Sequence, residues 1–156
     1  MIKDLFTLNN IEYKKSDIPH ELLPYIKNAD IFNYLSCMGK SIAFYKSSYG
    51  TALTFLYSIK DILEEDFCDY NNPCLENGYF IIGSGPNGDL LCVNCSSGMV
   101  GYAFHDELWE KTYDSFEEIY VELPLSIERF IEMVIYKKNE YPFDGCEAEK
   151  YLNNNR

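Results

Sequence analysis

Gly83, Gly85 and Gly88 spell G-x-G-x-x-G behind an apolar run, the spacing with which dinucleotide-binding proteins cradle a pyrophosphate. That chemistry needs a helix directly after the glycines, because the amides at a helix N-terminus receive the phosphate. Here the following residues, LLCVNCSSG, read as a strand and a second turn, so the glycines are expected to serve a hairpin that needs positive φ. Cys92 and Cys95 form one C-x-x-C, half of a structural zinc site. The other cysteines, at positions 37, 68, 74 and 146, supply no second such pair, and no histidine follows at finger spacing. No metal or other cofactor is therefore expected. Cys92 or Cys95 with His105 would make a thiol–imidazole nucleophile. Against it, thiols within an apolar strand are usually inert, and His105, followed by Asp106 and Glu107, reads as a surface residue at a strand end. Carboxylates are too numerous for any pair of them to signal glycoside hydrolysis. The candidate chemistry points away from an enzyme.

Those abundant carboxylates are themselves informative. The 156-residue chain carries 25 acidic and 13 basic residues, a formal net charge of −12. Phosphate binding relies on Lys and Arg, so the chain is ill-suited to nucleic acid and suited to a basic partner. A composition 47% hydrophobic and 24% charged is that of a folded domain, and the length fits one. That domain is expected over 1–156, with a core at about 17–138 and a short C-terminal tail, 139–156. The 14 tyrosines and 10 phenylalanines suit strands and contact surfaces. Met1 to His20 is broken by Lys3, Asp4, Glu12, Lys14 and Lys15 and never forms a signal-peptide h-region. No stretch approaches the ~20 apolar residues of a membrane span. The expectation is a cytoplasmic protein with reduced cysteines and no membrane association.

The elements that must position these residues follow from periodicity. Asp17-Ile18-Pro19 suits a helix start, with Leu22, Leu23 and Ile26 as a stripe interrupted by Pro24. Ile31, Phe32, Tyr34 and Leu35 predict a second helix ending near Gly39. Ile42 and Phe44, then Leu53, Phe55 and Tyr57, alternate as a hairpin across the loop Lys46 to Thr51. Ser58 caps a helix whose Ile59, Ile62 and Leu63 share a face and whose exposed side carries Glu64, Glu65, Asp66 and Asp69. Tyr70 to Gly78 reads as an irregular loop.

Tyr79–Ile82, Asp89–Asn94 and Met99–Phe104 read as an antiparallel meander, the first two runs apolar on both faces and so central. The third has a small face, Met99, Gly101 and Ala103, which calls for a packed helix or leaves room for a ligand. Ser115 with Glu118 resembles a capping box, and Ile119, Val121 and Leu123 predict a short turn and then a strand stopped by Pro124. Ser126 caps a last helix striped by Ile127, Phe130, Ile131, Val134 and Ile135. Beyond it a turn at Tyr141 to Gly145 and a frayed end at 153–156 are expected.

GSGPNGDLLCVN followed by GMVGYAFHDELWE resembles the SUKH superfamily, which includes bacterial toxin-immunity proteins and relatives of a fungal regulator of cell-wall synthesis. The matching family pattern is a strand ending in Gly83, a tight turn, then Gly88-Asp89 and the apolar strand Leu90 to Asn94. Leu23-Pro24, Leu56-Tyr57 leading into Ile59 to Leu63, and Ser126 to Val134 resemble further family features. The resemblance covers about positions 20–136. It implies an α+β fold, a mainly antiparallel sheet of five to six strands flanked by N-terminal and C-terminal helices. It also implies no catalytic residues and a role in neutralising a cognate protein toxin. A basic toxin, such as a nuclease, would suit the charge. Candidate contacts are then Asp106, Glu107, Trp109 and Glu110, with Glu64, Glu65, Asp66 and Asp69 as a second patch; Trp109 is equally readable as core. A scaffold role linked to cell-wall synthesis and a small-molecule site near Gly101 and Ala103 are the alternatives.

Overall fold

The computed structural model describes residues 1–45, 50, 52–138 and 140–155. Alternating apolar residues build a six-stranded, wholly antiparallel sheet whose spatial order is the sequence order. The strands are β1 Ile42–Tyr45, β2 Ala52–Leu56, β3 Tyr79–Ser84, β4 Leu90–Asn94, β5 Met99–Ala103 and β6 Tyr120–Ser126. β3 and β4 are buried on both faces, as their continuous apolar runs predict. Ile42 pairs with Leu56 and Phe44 with Thr54 in the expected hairpin, while 46–49 and 51 of its connecting loop lie outside the described residues. Of the motif's three glycines Gly88 alone, at φ +95°, takes the expected left-handed conformation where the turn between β3 and β4 closes; Gly83 and Gly85 instead admit the close approach of the Phe55 and Phe143 carbonyls.

The sheet divides the apolar residues into two cores. On one face Phe80, Ile82, Leu91, Val93, Val100 and Tyr102 pack with the helices α1 Ile2–Leu8, α2 Ala29–Leu35 and α6 Ile127–Lys137. The predicted stripe of α6 supplies Phe130, Ile131 and Val134, and the Ser126 hydroxyl accepts from the Arg129 N–H at 3.2 Å as its cap. α3, Ile59–Asp66, starts as predicted, with Ser58 Oγ accepting from the Asp61 N–H at 3.2 Å. On the other face Ile81, Leu90, Cys92 and Ala103 meet Cys74, Leu108, Phe116 and Ile119. These last four come from α4 Asn72–Glu76, α5 His105–Glu110 and a 3-10 helix, Phe116–Ile119. Together they make one α+β arrangement, helices covering both faces of one sheet. Among the described residues no helix is long and apolar enough to cross a membrane.

Several elements depart from the expectation for identifiable reasons. The first predicted helix is a 3-10 helix, His20–Tyr25, in which Pro24 denies the chain an α-helical hydrogen bond. α2 stops at Leu35 rather than near Gly39, whose N–H is taken instead by the Lys14 carbonyl at 2.7 Å. The loop at 70–78 contains α4, with Pro73 at its start, where a proline costs no hydrogen bond. β6 runs on through Pro124 to Ser126, because an edge strand needs no outward N–H.

The largest correction concerns the ends. The expected tail, of which 140–155 are described, holds a packed helix: α7, Gly145–Asn154, buries Ala148 and is capped by Asp144 Oδ1, which accepts from the Glu147 N–H at 2.8 Å. Tyr141 is buried too, and its hydroxyl hydrogen-bonds that of Thr54 on β2. Phe6 of α1, before the predicted core, is fully buried.

The small face of β5 is filled by protein. The ring of Tyr120, one strand over on β6, lies on Gly101, and a β-carbon at that position would stand 2.4 Å from the Val121 carbonyl oxygen and 2.6 Å from the Tyr120 hydroxyl oxygen. Leu108 of α5 covers Ala103 in the same core. Gly101→Ala must therefore displace a buried aromatic ring and is expected to lower unfolding free energy by ~1–3 kcal/mol in urea titration. An unchanged midpoint would mean that the Val121 carbonyl and the Tyr120 ring both yield freely.

Candidate functional site

The two acidic stretches of the sequence meet. The C-terminal end of α3 delivers Glu65, the next loop delivers Cys68, Tyr70 and Asn71, and α5 delivers Trp109. These five line a groove of about 430 Å³. Asn71, 2% exposed, is the joint between the two sides. Its side-chain oxygen accepts from the Trp109 indole N–H at 2.8 Å, and its amide nitrogen donates to Glu65 Oε2 at 2.9 Å. An amide suits this position because it accepts on one side and donates on the other. The indole is thus held at its polar edge while 44% of the residue stays open to solvent, a placement neither in the core nor unsupported.

Of the candidate contacts, Glu65 and Trp109 line the groove. Glu64 and Asp69 are exposed beside it on the α3 side, and Asp106, Glu107 and Glu110 are exposed on α5. Asp66 is a correction. Its side chain is fully buried, with Oδ1 accepting from the Ile81 N–H at 2.8 Å. Burial pushes its carboxyl well above the usual carboxylate range, against the lowering effect of that hydrogen bond. Its spacing after Ile59 and Ile62 is i, i+3, i+7, so the helical period that buries those two also turns Asp66 inward. Asn71, Tyr70 and Cys68 were not among the candidates. Their stretch reads as turn residues, and nothing local marks which asparagine points inward.

The glycine motif acts on the groove from a distance. Asp89, 2% exposed, sits at the end of its turn. Its Oδ2 accepts from Asn87 Nδ2 and from the Gly145 N–H, both at 3.0 Å. Its Oδ1 accepts from the His105 backbone N–H at 3.3 Å and lies 2.8 Å from the same residue's Nδ1. His105 Nε2 is 3.1 Å from Asp106, and the imidazole meets the Trp109 ring edge-on at 5.0 Å. Asp89 thereby fixes the first turn of α5, and one turn later α5 presents Trp109. Gly83 lies within β3 and Gly85 opens the turn, its N–H donating to the Asp89 carbonyl at 2.9 Å.

The cysteines do not assemble a reactive centre. Cys92 belongs to the smaller core and Cys95 to the larger, so the C-x-x-C thiols are parted between the two. Burial raises the Cys92 thiol well above its ordinary value and that of Cys95 to about 11, which keeps both protonated at neutral pH. Both ring nitrogens of His105 face carboxylates. Among the described residues no three metal-ligating side chains converge. What the groove offers chemically is a fixed aromatic wall, a half-buried carboxylate and a negative rim. Comparison of the chain with protein-family models, with curated proteins and with solved structures finds no match.

The buried carboxyl of Asp66 makes stability depend on pH in a defined direction. The folded chain retains a proton that the unfolded chain loses near pH ~3.9, so stability falls as pH rises from there through the raised folded value. Asp66→Asn cannot titrate. Relative to wild type it is expected to gain stability steadily between pH 4 and the folded value, measured by urea unfolding at successive pH. A difference independent of pH over that range would show that Asp66 is already ionised when folded.

Proposed function

We propose that this chain is a non-catalytic, cytoplasmic binding protein that neutralises a basic protein toxin by covering its active site, as immunity proteins of the SUKH superfamily do. The observation that carries the reading is the Glu65–Asn71–Trp109 chain, which joins two acidic surfaces around one exposed, pre-positioned tryptophan. Interfaces draw most of their affinity from a few such aromatic anchors ringed by polar residues. Tyr70, 69% exposed at the same groove, adds a second.

Charge supports the same reading. Glu64, Glu65, Asp69, Glu107 and Glu110 make no ion pair with Lys or Arg among the described residues, so their field acts outward. An outward negative field speeds encounter with a basic cleft and competes there with a phosphate substrate. The ordered motifs at Gly83 to Asn94 and Met99 to Glu110 are where the family resemblance lies, and through Asp89 and His105 they are also what positions the groove.

The product of the neighbouring gene, co-expressed and purified with this chain, tests the proposal. A complex is expected whose association rate falls steeply with added salt while its dissociation rate changes little. Trp109→Ala is expected to weaken it by about 2 kcal/mol, roughly 30-fold in Kd, through faster dissociation. Absence of both association and protection from the neighbouring product's toxicity would overturn the reading.

A further inference from the structure

We infer that the groove is an arginine pocket, which takes one guanidinium side chain projecting from the bound partner. The inference rests on the binding role proposed above and assigns the chemistry of its central contact. The volume, about 430 Å³, lies within the ~300–1,000 Å³ of built ligand sites, ample for one long side chain. Its walls, Trp109, Tyr70 and Cys68, are mostly apolar and aromatic, and its carboxylate is Glu65. One Glu65 oxygen is engaged by Asn71, and no Lys or Arg pairs with this residue among the described residues.

Each alternative occupant fails on one of these features. An anion meets Glu65 and the surrounding acidic side chains. A purely apolar side chain would strip water from Glu65 and give nothing back. An ammonium is strongly hydrated and has no flat face to lay on an indole. A guanidinium is weakly hydrated, stacks on aromatic rings, hydrogen-bonds carboxylates and carries an apolar stem that suits apolar walls. The indole also needs no ordering on binding, because Asn71 already holds its N–H.

The chain contains a single tryptophan, so its intrinsic fluorescence reads this groove directly. Titration with N-acetyl-arginine methylamide is expected to change that signal saturably in the millimolar range. The lysine analogue should act several-fold more weakly and the citrulline analogue, matched in shape but uncharged, not at all. Glu65→Gln should weaken the arginine response about 10-fold, the loss of one charge-assisted contact, while Glu149→Gln, exposed on α7, leaves it within about 2-fold. Urea unfolding of both variants shows whether the fold is intact. Equal responses to the three analogues, or an undiminished arginine response in folded Glu65→Gln, would overturn the assignment. If arginine fails while Trp109→Ala still weakens the toxin complex, only the arginine assignment falls. If arginine binds and no complex forms, the pocket stands and the immunity role falls.

Discussion

The Asp89 carboxylate is almost wholly removed from water, and a group in that position holds its place only when protein donors replace the solvent it has lost. Four do so: the Asn87 side-chain amide, both the backbone N–H and ring Nδ1 of His105, and the Gly145 N–H. They belong to the β3–β4 turn, the start of α5 and the start of α7, so one side chain joins parts of the chain separated by 56 residues. Few other residues could do this, since only a short carboxylate offers two acceptor atoms that each take bonds from different directions. A glycine-rich turn delivers it because Gly88 reverses the backbone directly before it. The motif that looks like a nucleotide cradle is therefore an internal brace, with its own carboxylate receiving backbone amides from the starts of α5 and α7.

Asp66 shows the opposite solution to the same problem. It has one donor, the Ile81 N–H, and its second oxygen has no partner among the described residues. Such a carboxyl stays protonated to higher pH because one hydrogen bond does not repay the loss of hydration. Its presence follows from sheet geometry. β2 pairs with β3 only at Phe55–Ser84 and Leu56–Gly83, after which Tyr57 takes the Ile82 carbonyl and the chain turns into α3. The Ile81 N–H is left without a strand partner, and the inward face of α3 supplies one from Asp66. Two buried aspartates thus serve one sheet, one bracing helices onto its turn and one finishing a ladder that stops short.

Much of the fold was legible because its signals were local. Strand alternation in 79–104, the Ser58 and Ser126 caps and the stripe of α6 each need only a few consecutive residues to be read, and each is present. What escaped was decided at long range. α7 has a thin apolar face, so its helix stands out only when Ala148 is seen against the core and Gly145 against Asp89. α4 was hidden by asparagines that equally suit turns. Half of the groove was legible as charge and as a lone tryptophan. The contact between the halves was not, because Asn71 and Trp109 lie 38 residues apart and meet only after α3, α4 and α5 have packed onto the sheet.

The placement of the acids sets the charge around the groove. Asp61, Glu128 and Glu147 stand in the first turns of α3, α6 and α7, where the positive end of a helix favours a negative charge. The rim of the groove breaks that pattern. Glu64 and Glu65 lie in the last turn of α3 and Glu110 ends α5, and neither helix carries a basic residue in its last turn. There the helix carbonyls and the acidic side chains repel one another, in a chain whose net charge of −12 already works against compaction. Lysine stands at a helix end in Lys137 of α6 and in Lys111, the residue that closes α5 after Glu110. Carboxylates on both sides of an exposed and anchored indole are what the cationic ligand proposed above would meet.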